Sequence, residues 1–205
     1  MTLIFDYGGV IVDLLPARCI TAFERLGLDI RPYLGTYRQG GPFALLEEGR
    51  LSVPDFCHEL RQIGVRHDAT DADIVAAWEA YTTGIPAERL RLLSKIHRHY
   101  PTAVLSNTNP VHWRQATDLF FRSMGGSLSS YFDRAFVSYE LQLQKPDPAI
   151  FHRVAEELGE APNDLLFFDD SETNCEAARR CGWQARLAPA DSGWFTYFDE
   201  EGLLK

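Results

Sequence analysis

Short apolar runs along the chain alternate with longer segments in which apolar residues recur every three or four positions. The apolar runs predict buried strands, and the spaced segments predict amphipathic helices. The predicted strands cover residues 2–6, 102–106, 134–138, 165–169 and, as a short fifth strand, 184–187. The helices predicted between or after them cover residues 86–100, 148–158 and 171–181. This alternation favours an α/β fold with a doubly wound, Rossmann-like parallel sheet.

The segment over residues 15–83 departs from this alternation, because helical patterns follow one another there without a strand-like run between them. The helices predicted in it cover residues 16–26, 42–48, 52–63 and 70–82. Ser52 and Asp55 have the spacing of a capping box at the start of one of them. We therefore predict a helical cap domain over 15–83, inserted after the first strand of an α/β core domain that comprises 1–14 and 84–205.

Composition limits the classes of partner. The chain has 205 residues, of which 45% are hydrophobic, and a formal net charge of -9. This charge argues against nucleic acid and anionic membrane surfaces as partners. There is no apolar run of the roughly 20 residues that a membrane span needs, and Asp6 and Asp13 interrupt the first apolar stretch, which does not resemble a signal peptide. The four cysteines form no CxxC pair, so we predict reduced thiols in a cytoplasmic protein, monomeric or weakly dimeric.

Chemically versatile residues follow the first four predicted strands. They are Asp6 after the first strand, Ser106 and Asn107 after the second, Lys145 in the loop after the third, and Asp169 and Asp170 after the fourth. Because the carboxyl ends of parallel strands meet at one edge of a sheet, we expect these residues to share one site.

A carboxylate, an ammonium group and paired carboxylates suit phosphoryl transfer. The carboxylate of Asp6 can attack phosphorus and form an acyl phosphate that water then hydrolyses. Both reactants are anions, so the attack needs a cation between them. Asp6, Asp170 and the backbone carbonyl of Gly8 offer the hard oxygen ligands that Mg²⁺ prefers. Asp169 either completes this set or holds a metal-bound water.

The remaining polar groups suit the phosphate itself. The Ser106 hydroxyl and the backbone amide of Asn107 can donate hydrogen bonds to the transferring oxygens, and Lys145 can neutralise charge on the phosphoryl group and on Asp6. Asn174 is counted with these phosphate-binding residues, although organising the loop is the commoner role of such an asparagine.

Four segments carrying these residues resemble, in order, the four motifs of the haloacid dehalogenase-like (HAD) superfamily. They are Phe5-Asp6-x-Gly8-Gly9-Val10, Leu105-Ser106-Asn107-Thr108-Asn109, Lys145-Pro146-Asp147-Pro148-x-Ile150-Phe151 and Phe168-Asp169-Asp170-Ser171-x-x-Asn174. The resemblance implies a Mg²⁺-dependent phosphatase that acts on a small phosphorylated metabolite through an aspartyl phosphate, with a helical cap directly after the first motif. The motifs look most similar to α-glucose-1-phosphate phosphatases and to the phosphatase domain of soluble epoxide hydrolases, which suggests a sugar phosphate.

Gly8 departs from the pattern of many superfamily members, in which an aspartate at this position protonates the leaving group. Such general acid–base catalysis is typically worth about 10²–10⁴-fold in rate. Three interpretations stay open: a substrate whose leaving group needs no proton, a substitute acid such as Asp13, His112 or Glu48, or a site that turns over slowly or only binds.

Two alternatives to the phosphatase stay open. A catalytically slow phospho-ligand binding or regulatory protein would tolerate Gly8. A metal-independent 2-haloacid dehalogenase would also use Asp6 as its nucleophile, but the adjacent carboxylates of Asp169 and Asp170 would then repel each other without a cation. In the cap, the candidate specificity residues are Tyr37, Arg38, Phe43 and Glu48.

Overall fold

The computed structural model describes residues 1–36, 38–189 and 193–205. Tyr37, predicted as a cap specificity residue, therefore lies outside the described residues. No helix within the described part of the chain is long and apolar enough to cross a membrane.

A five-stranded sheet forms the centre of the molecule. Its strands are β1 (Thr2–Phe5), β2 (Thr102–Ser106), β3 (Arg134–Val137), β4 (Leu165–Asp169) and β5 (Gln184–Leu187). The strand order is β3-β2-β1-β4-β5, and every neighbouring pair is parallel. β1, β2 and β4 are buried along their whole length, as expected for a parallel sheet covered on both faces. The predicted strands and the parallel α/β fold are confirmed.

Nine α-helices are assigned within the described residues. They are α1 (Pro16–Arg25), α2 (Gly41–Glu47), α3 (Val53–Ile63), α4 (Asp71–Glu79), α5 (Ala87–Ile96), α6 (Pro110–Gln115), α7 (Ser138–Leu141), α8 (Pro148–Leu158) and α9 (Glu172–Arg180). The short helices α6 and α7 were not predicted, because four to six residues are too few to show helical periodicity. The predicted helix over 86–100 ends earlier, at Ile96, and continues only as turns towards Pro101.

Alternate residues of each strand pack into separate cores on the two faces of the sheet. In β1, Phe5 joins a cluster that includes helix α5 and the aromatic C-terminal segment, whereas Ile4 joins a cluster with α8 and α9. Trp194 is fully buried in the first cluster, and its indole nitrogen donates to the Val10 carbonyl oxygen at 3.1 Å.

Helices α1 to α4 enclose a third apolar core, which contains Phe23, Phe43, Phe56 and Trp78. Side-chain caps fix where two of these helices begin: Ser52 accepts from the Asp55 amide before α3, and Thr70 forms a full capping box before α4. Helix α4 packs against α6, which follows β2. The helical segment is thereby placed beside the carboxyl edge of the sheet. Its assignment as a separate domain over 15–83 stays a prediction.

Two chain segments connect these helices to the sheet, and they run side by side. Leu14 and Thr82 form an antiparallel bridge between them. Next to this bridge, the buried guanidinium of Arg89 lies 2.7 Å from the Asp13 carboxylate and donates to the Ile11 carbonyl oxygen at 3.0 Å. The ion pair fixes the start of the first connecting segment relative to α5.

Candidate active site

The carboxyl ends of β1, β2 and β4 open into a pocket that the helical segment covers. The pocket has about 680 Å³ of empty space, part of it open to solvent. Its lining includes Asp6, Gly8, Ser106, Asn107, Lys145, Asp170 and Asn174 from the sheet side, and Thr36, Gln39, Glu47, Tyr81 and Thr82 from the helical side. Seven of the eight predicted catalytic, phosphate-binding or metal-binding residues thus meet at one place, and the eighth, Asp169, contacts Lys145 and Asn174.

Lys145 is the central charge of the site. Its Nζ atom lies 2.8 Å from Asp6 Oδ1 and 2.7 Å from Asp169 Oδ2, and it donates to the Leu105 carbonyl oxygen at 3.0 Å. The side chain is 1% exposed. Burial by itself would lower the pKa of Lys145, but the carboxylates of Asp169 and Asp6 outweigh it and raise this pKa to about 12. Lys145 is therefore permanently charged at neutral pH.

The Asn107 side chain fixes the backbone that carries this lysine. Its Nδ2 atom donates to the Lys145 carbonyl oxygen at 2.9 Å, and its Oδ1 atom accepts from the Lys145 amide at 2.9 Å. Both polar atoms of the Asn107 side chain are thus bonded to the Lys145 backbone. The prediction that the backbone amide of Asn107 donates to the phosphate is unaffected.

Asp169 is fully buried and is held by hydrogen bonds on both oxygens. Oδ1 accepts from the Ser171 amide at 2.8 Å and from Asn174 Nδ2 at 3.0 Å, while Oδ2 accepts from Lys145 and from Asn174 at 3.2 Å. Asn174 therefore holds Asp169 in place, although it also lines the pocket.

Three carboxylates are suited to a divalent cation. One oxygen from each of Asp6, Asp169 and Asp170 lies within 4.8 Å of the others. Burial raises the pKa of Asp6 to about 7, with Lys145 opposing the rise and Asp169 and Asp170 adding to it. Burial and the charge of Asp169 raise the pKa of Asp170 to about 6. Since crowded carboxylates resist ionisation without a cation, this donor set fits a hard ion such as Mg²⁺.

The turn after β1 brings the chain close to this cluster. Gly9 has φ of +78°, and a Cβ atom there would lie 2.5 Å from Asp170 Oδ2. Only glycine combines this backbone conformation with so close an approach. At Gly8, by contrast, an added Cβ would meet only the Leu14 side chain, at 3.5 Å.

Three residues proposed as substitutes for the missing acid have other partners, although His112 also lines the pocket. Asp13 pairs with Arg89 in the connecting segment. Both ring nitrogens of His112 have partners, Asn109 Nδ2 at 3.1 Å and the Trp78 carbonyl oxygen at 2.9 Å. Burial lowers the pKa of His112 to about 4, so the ring is neutral. Glu48 pairs with Arg38 and Arg50, and it is not among the described residues that line the pocket.

The neighbouring Glu47 was not predicted and does line the pocket. It is buried, with 7% of its surface exposed. Helical periodicity could have indicated this position, because Phe43, Leu46 and Glu47 are spaced i, i+3 and i+4 and form the buried face of α2. A carboxylate on an otherwise apolar helix face is the sequence pattern that could have predicted a buried functional residue here.

Phe43 and Arg38, two further predicted specificity residues, are also not among the described residues that line the pocket. Phe43 is fully buried in the core of the helical segment, where it packs against Phe23, Phe56 and Trp78. Arg38 is largely exposed. The polar groups that the helical segment does present to the pocket are those of Thr36, Gln39, Tyr81 and Thr82 together with Glu47.

Comparison with known proteins identifies the family. A model described as haloacid dehalogenase-like hydrolase matches residues 1–182. The chain belongs to the haloacid dehalogenase-like hydrolase family.

Similar members of this family are phosphatases. The chain is 32% identical over 193 residues to the D-ribitol-5-phosphate phosphatase of Bacteroides thetaiotaomicron. The match covers 94% of this chain and 93% of that relative. It is 25% identical over 195 residues to the phosphoglycolate phosphatase of Aquifex aeolicus, and the match covers 91% of this chain and 83% of that relative. A crystal structure of a HAD family enzyme from Bacteroides thetaiotaomicron, in complex with magnesium and inorganic phosphate, superposes with a TM-score of 0.90 at 32% identity, covering 97% of this chain and 98% of the other.

Proposed function

We propose that this protein is a Mg²⁺-dependent phosphatase that hydrolyses a small phosphorylated metabolite through an aspartyl phosphate on Asp6. The observation that carries the proposal is the contact of Asp6 with Lys145 at 2.8 Å beside the carboxylates of Asp169 and Asp170. The family and its phosphatase members support the same reaction.

Asp6 and Asp170, with the backbone carbonyl of Gly8, would hold the metal ion. The oxygens of Asp169 already accept hydrogen bonds from Ser171, Asn174 and Lys145. We therefore assign Asp169 to the alternative role, that of holding a metal-bound water. When bound, Mg²⁺ would withdraw charge from the phosphoryl oxygens and reduce their repulsion of the nucleophile.

The remaining residues bind and orient the phosphoryl group. Among the described contacts of Asp6, the Tyr7 amide at 2.7 Å and Lys145 both reach Oδ1, which leaves Oδ2 as the attacking atom. Ser106 and the backbone amide of Asn107 donate to the phosphoryl oxygens, and Lys145 neutralises the charge that develops on them. Asn174 acts as a positioning residue, because it holds Asp169.

The lining of the helical side favours a polyhydroxylated leaving group such as a sugar or sugar alcohol. Its polar groups are hydroxyls, an amide and one carboxyl group, and these suit hydrogen bonds to neutral hydroxyls. Among the described lining residues, Lys145 is the only Lys or Arg, and two carboxylates already engage it. A phosphorylated carboxylic acid would find no unpaired cation in this lining for its carboxylate.

Phosphate release with and without Mg²⁺ tests the proposal. The substrates are a pentitol phosphate, hexose 1- and 6-phosphates, phosphoglycolate and an aryl phosphate. We expect Mg²⁺-dependent hydrolysis, with the polyol and sugar phosphates preferred over phosphoglycolate, and no activity in Asp6→Asn. Metal-independent halide release from a 2-haloacid would contradict the proposal, and so would Mg²⁺ and phosphate binding without turnover of any substrate.

A further inference from the structure

Gly8 leaves the proposed reaction without its usual proton donor, and this matters most for a sugar alcohol. An alkoxide is a poor leaving group, so its departure needs a proton in the transition state. The residues of the pocket that can supply one are restricted. Asp13 and Glu48 pair with arginines and do not line it, and both ring nitrogens of His112, which does line it, have partners.

The backbone at Glu47 is tied to the sheet side of the site. The Thr108 amide donates to Ser138 Oγ at 3.0 Å, and this hydroxyl lies within donating distance of two carbonyl oxygens, that of Glu47 at 2.7 Å and that of Thr108 at 2.9 Å. Immediately after α2, Gly49 approaches the Tyr139 backbone so closely that an added Cβ would lie 2.0 Å from its carbonyl oxygen. The end of α2 is therefore docked on the loop that follows β2 and on helix α7, which follows β3.

The Glu47 side chain is buried in the wall of the pocket, beside the side chain of Asn109. Asn109 accepts from the amides of Val111 and His112 at 3.1 Å and thereby caps α6. Asn109 is fully buried. A buried carboxyl group in the wall of the pocket that contains Asp6 is placed to reach a substrate oxygen.

We propose that Glu47 is the general acid and base of this enzyme and replaces the aspartate that is absent at position 8. The inference rests on the proposed phosphatase function. It makes Glu47 a catalytic residue contributed by the cap, so that chemistry requires the docked cap and not only the residues of the sheet.

The surroundings of Glu47 keep its carboxyl group protonated before the reaction. Burial raises the pKa of Glu47 to about 8, Asn109 opposes this rise, and the nearby charge of Glu48 adds to it. The other titratable groups near Glu47 are His112 of α6 and Tyr81. The His112 ring is neutral, and Tyr81 is neutral at pH 7 because burial raises its pKa. The group therefore carries a transferable proton at neutral pH.

The two half-reactions balance through this one proton. In the first, the Asp6 oxygen bonds to phosphorus and the bond from phosphorus to the alcohol oxygen breaks, while that oxygen takes the proton of Glu47 and leaves as the alcohol. In the second, water attacks the phosphorus of the aspartyl phosphate and gives a proton back to the Glu47 carboxylate. Phosphate is released, and Asp6 is regenerated as a carboxylate.

The variant E47Q tests this assignment, because glutamine keeps the size and polarity of the side chain but has no proton to transfer. We expect kcat for a pentitol phosphate to fall by about 10²–10⁴-fold. With 4-nitrophenyl phosphate the first step needs no proton, whereas the second step lacks its base. Stopped-flow measurement should therefore show a burst of one nitrophenolate per active site, followed by slow turnover.

E48Q is the matched control, because it makes the same chemical change one residue away, at a side chain paired with Arg38 and Arg50. We expect its kcat to stay within about threefold of wild type and to show no burst. A second readout needs neither metal nor turnover: the infrared band of a protonated carboxyl group at pH 7 should be weaker in metal-free E47Q than in wild type, and unchanged in E48Q.

Equal losses on both substrates without a burst would show a merely structural role for Glu47 and overturn the proposal, as would unchanged kinetics. Loss of folding in E47Q would be detected by its circular dichroism, and the same kinetic and infrared measurements on the conservative variant E47D would then decide whether the Glu47 carboxyl group acts in the reaction. If wild type itself releases no phosphate, the proposed function fails. If wild type is active and E47Q is equally active, only the assignment of Glu47 fails.

Discussion

Replacing Lys145 with methionine should destabilise the metal-free protein strongly. The Lys145 ammonium lies between Asp6 and Asp169, 2.8 and 2.7 Å from their oxygens, with a side chain that is 1% exposed. Methionine fills a similar volume but leaves two buried carboxyl groups without their cation. Removing one partner of a buried ion pair typically costs about 3–5 kcal/mol of unfolding free energy. We expect a loss of this size at pH 8.

The pH dependence of this loss identifies its origin. Without Lys145 the pKa of Asp6 rises further above its unfolded value, so the folded state binds a proton more tightly than the unfolded state. Stability is then gained as the pH falls, because protonation removes the buried charge. The loss should therefore shrink between pH 8 and pH 5.5. Urea unfolding in EDTA at both pH values measures it.

Lys95→Met is the matched control, since Lys95 lies on the surface of α5 and its Nζ atom contacts a backbone carbonyl oxygen, that of Glu200. We expect a change of less than about 1 kcal/mol at both pH values. Saturating Mg²⁺ should recover part of the stability of the Lys145 variant, by about 2.7 kcal/mol at 100 times the dissociation constant. If Lys145→Met unfolds at the wild-type urea concentration, or with a loss independent of pH, the ion-pair account is refuted.

Three further predictions concern the turn after β1 and the buried carboxyl groups. Gly8→Asp should fold, because its Cβ would meet only Leu14 at 3.5 Å. Added to Glu47→Gln, it should raise the turnover of pentitol phosphate at least tenfold above that of Glu47→Gln alone. No increase would argue against a missing proton donor. Gly9→Ala should weaken Mg²⁺ binding at least tenfold by calorimetry, because its Cβ would lie 2.5 Å from Asp170 Oδ2; an unchanged affinity would separate Asp170 from the metal site. Metal-free wild type should become less stable from pH 5 to pH 8, because the folded-state pKa values of Asp6, Asp170 and Glu47 are raised to about 7, 6 and 8. Protonation of these groups stabilises the folded state at low pH. A free energy of unfolding that rises over this range in EDTA would contradict these shifts.

The sheet and the convergence of charged groups could be predicted because each depends on a local pattern. The apolar runs mark the strands, and parallel strands bring the residues after their carboxyl ends together. Asp6 and Lys145 are 139 positions apart in the chain, yet this topological rule places them in contact.

Other features depend on geometry that no spacing reveals. The different environments of Asp169 and Asp170 arise from the turn after β4, in which the Ser171 amide reaches Asp169. The choice between Glu47 and Glu48 depends on the phase of α2, where one residue corresponds to a rotation of about 100°. Sequence reasoning selected Glu48 as the cap carboxylate, whereas the helix turns Glu47 towards the pocket and leaves Glu48 with two arginines.

Chemical quenching of the first turnover tests the central claim most directly. Wild type and Asp6→Asn would be mixed with Mg²⁺ and a pentitol phosphate carrying a ³²P label, and quenched in acid within one turnover. We expect acid-stable, base-labile label on the peptide that contains Asp6 in wild type and none in Asp6→Asn. With a labelled aryl phosphate in place of the pentitol phosphate, Glu47→Gln should retain more label than wild type. Release of labelled phosphate without label on Asp6, or label on another residue, would contradict the account.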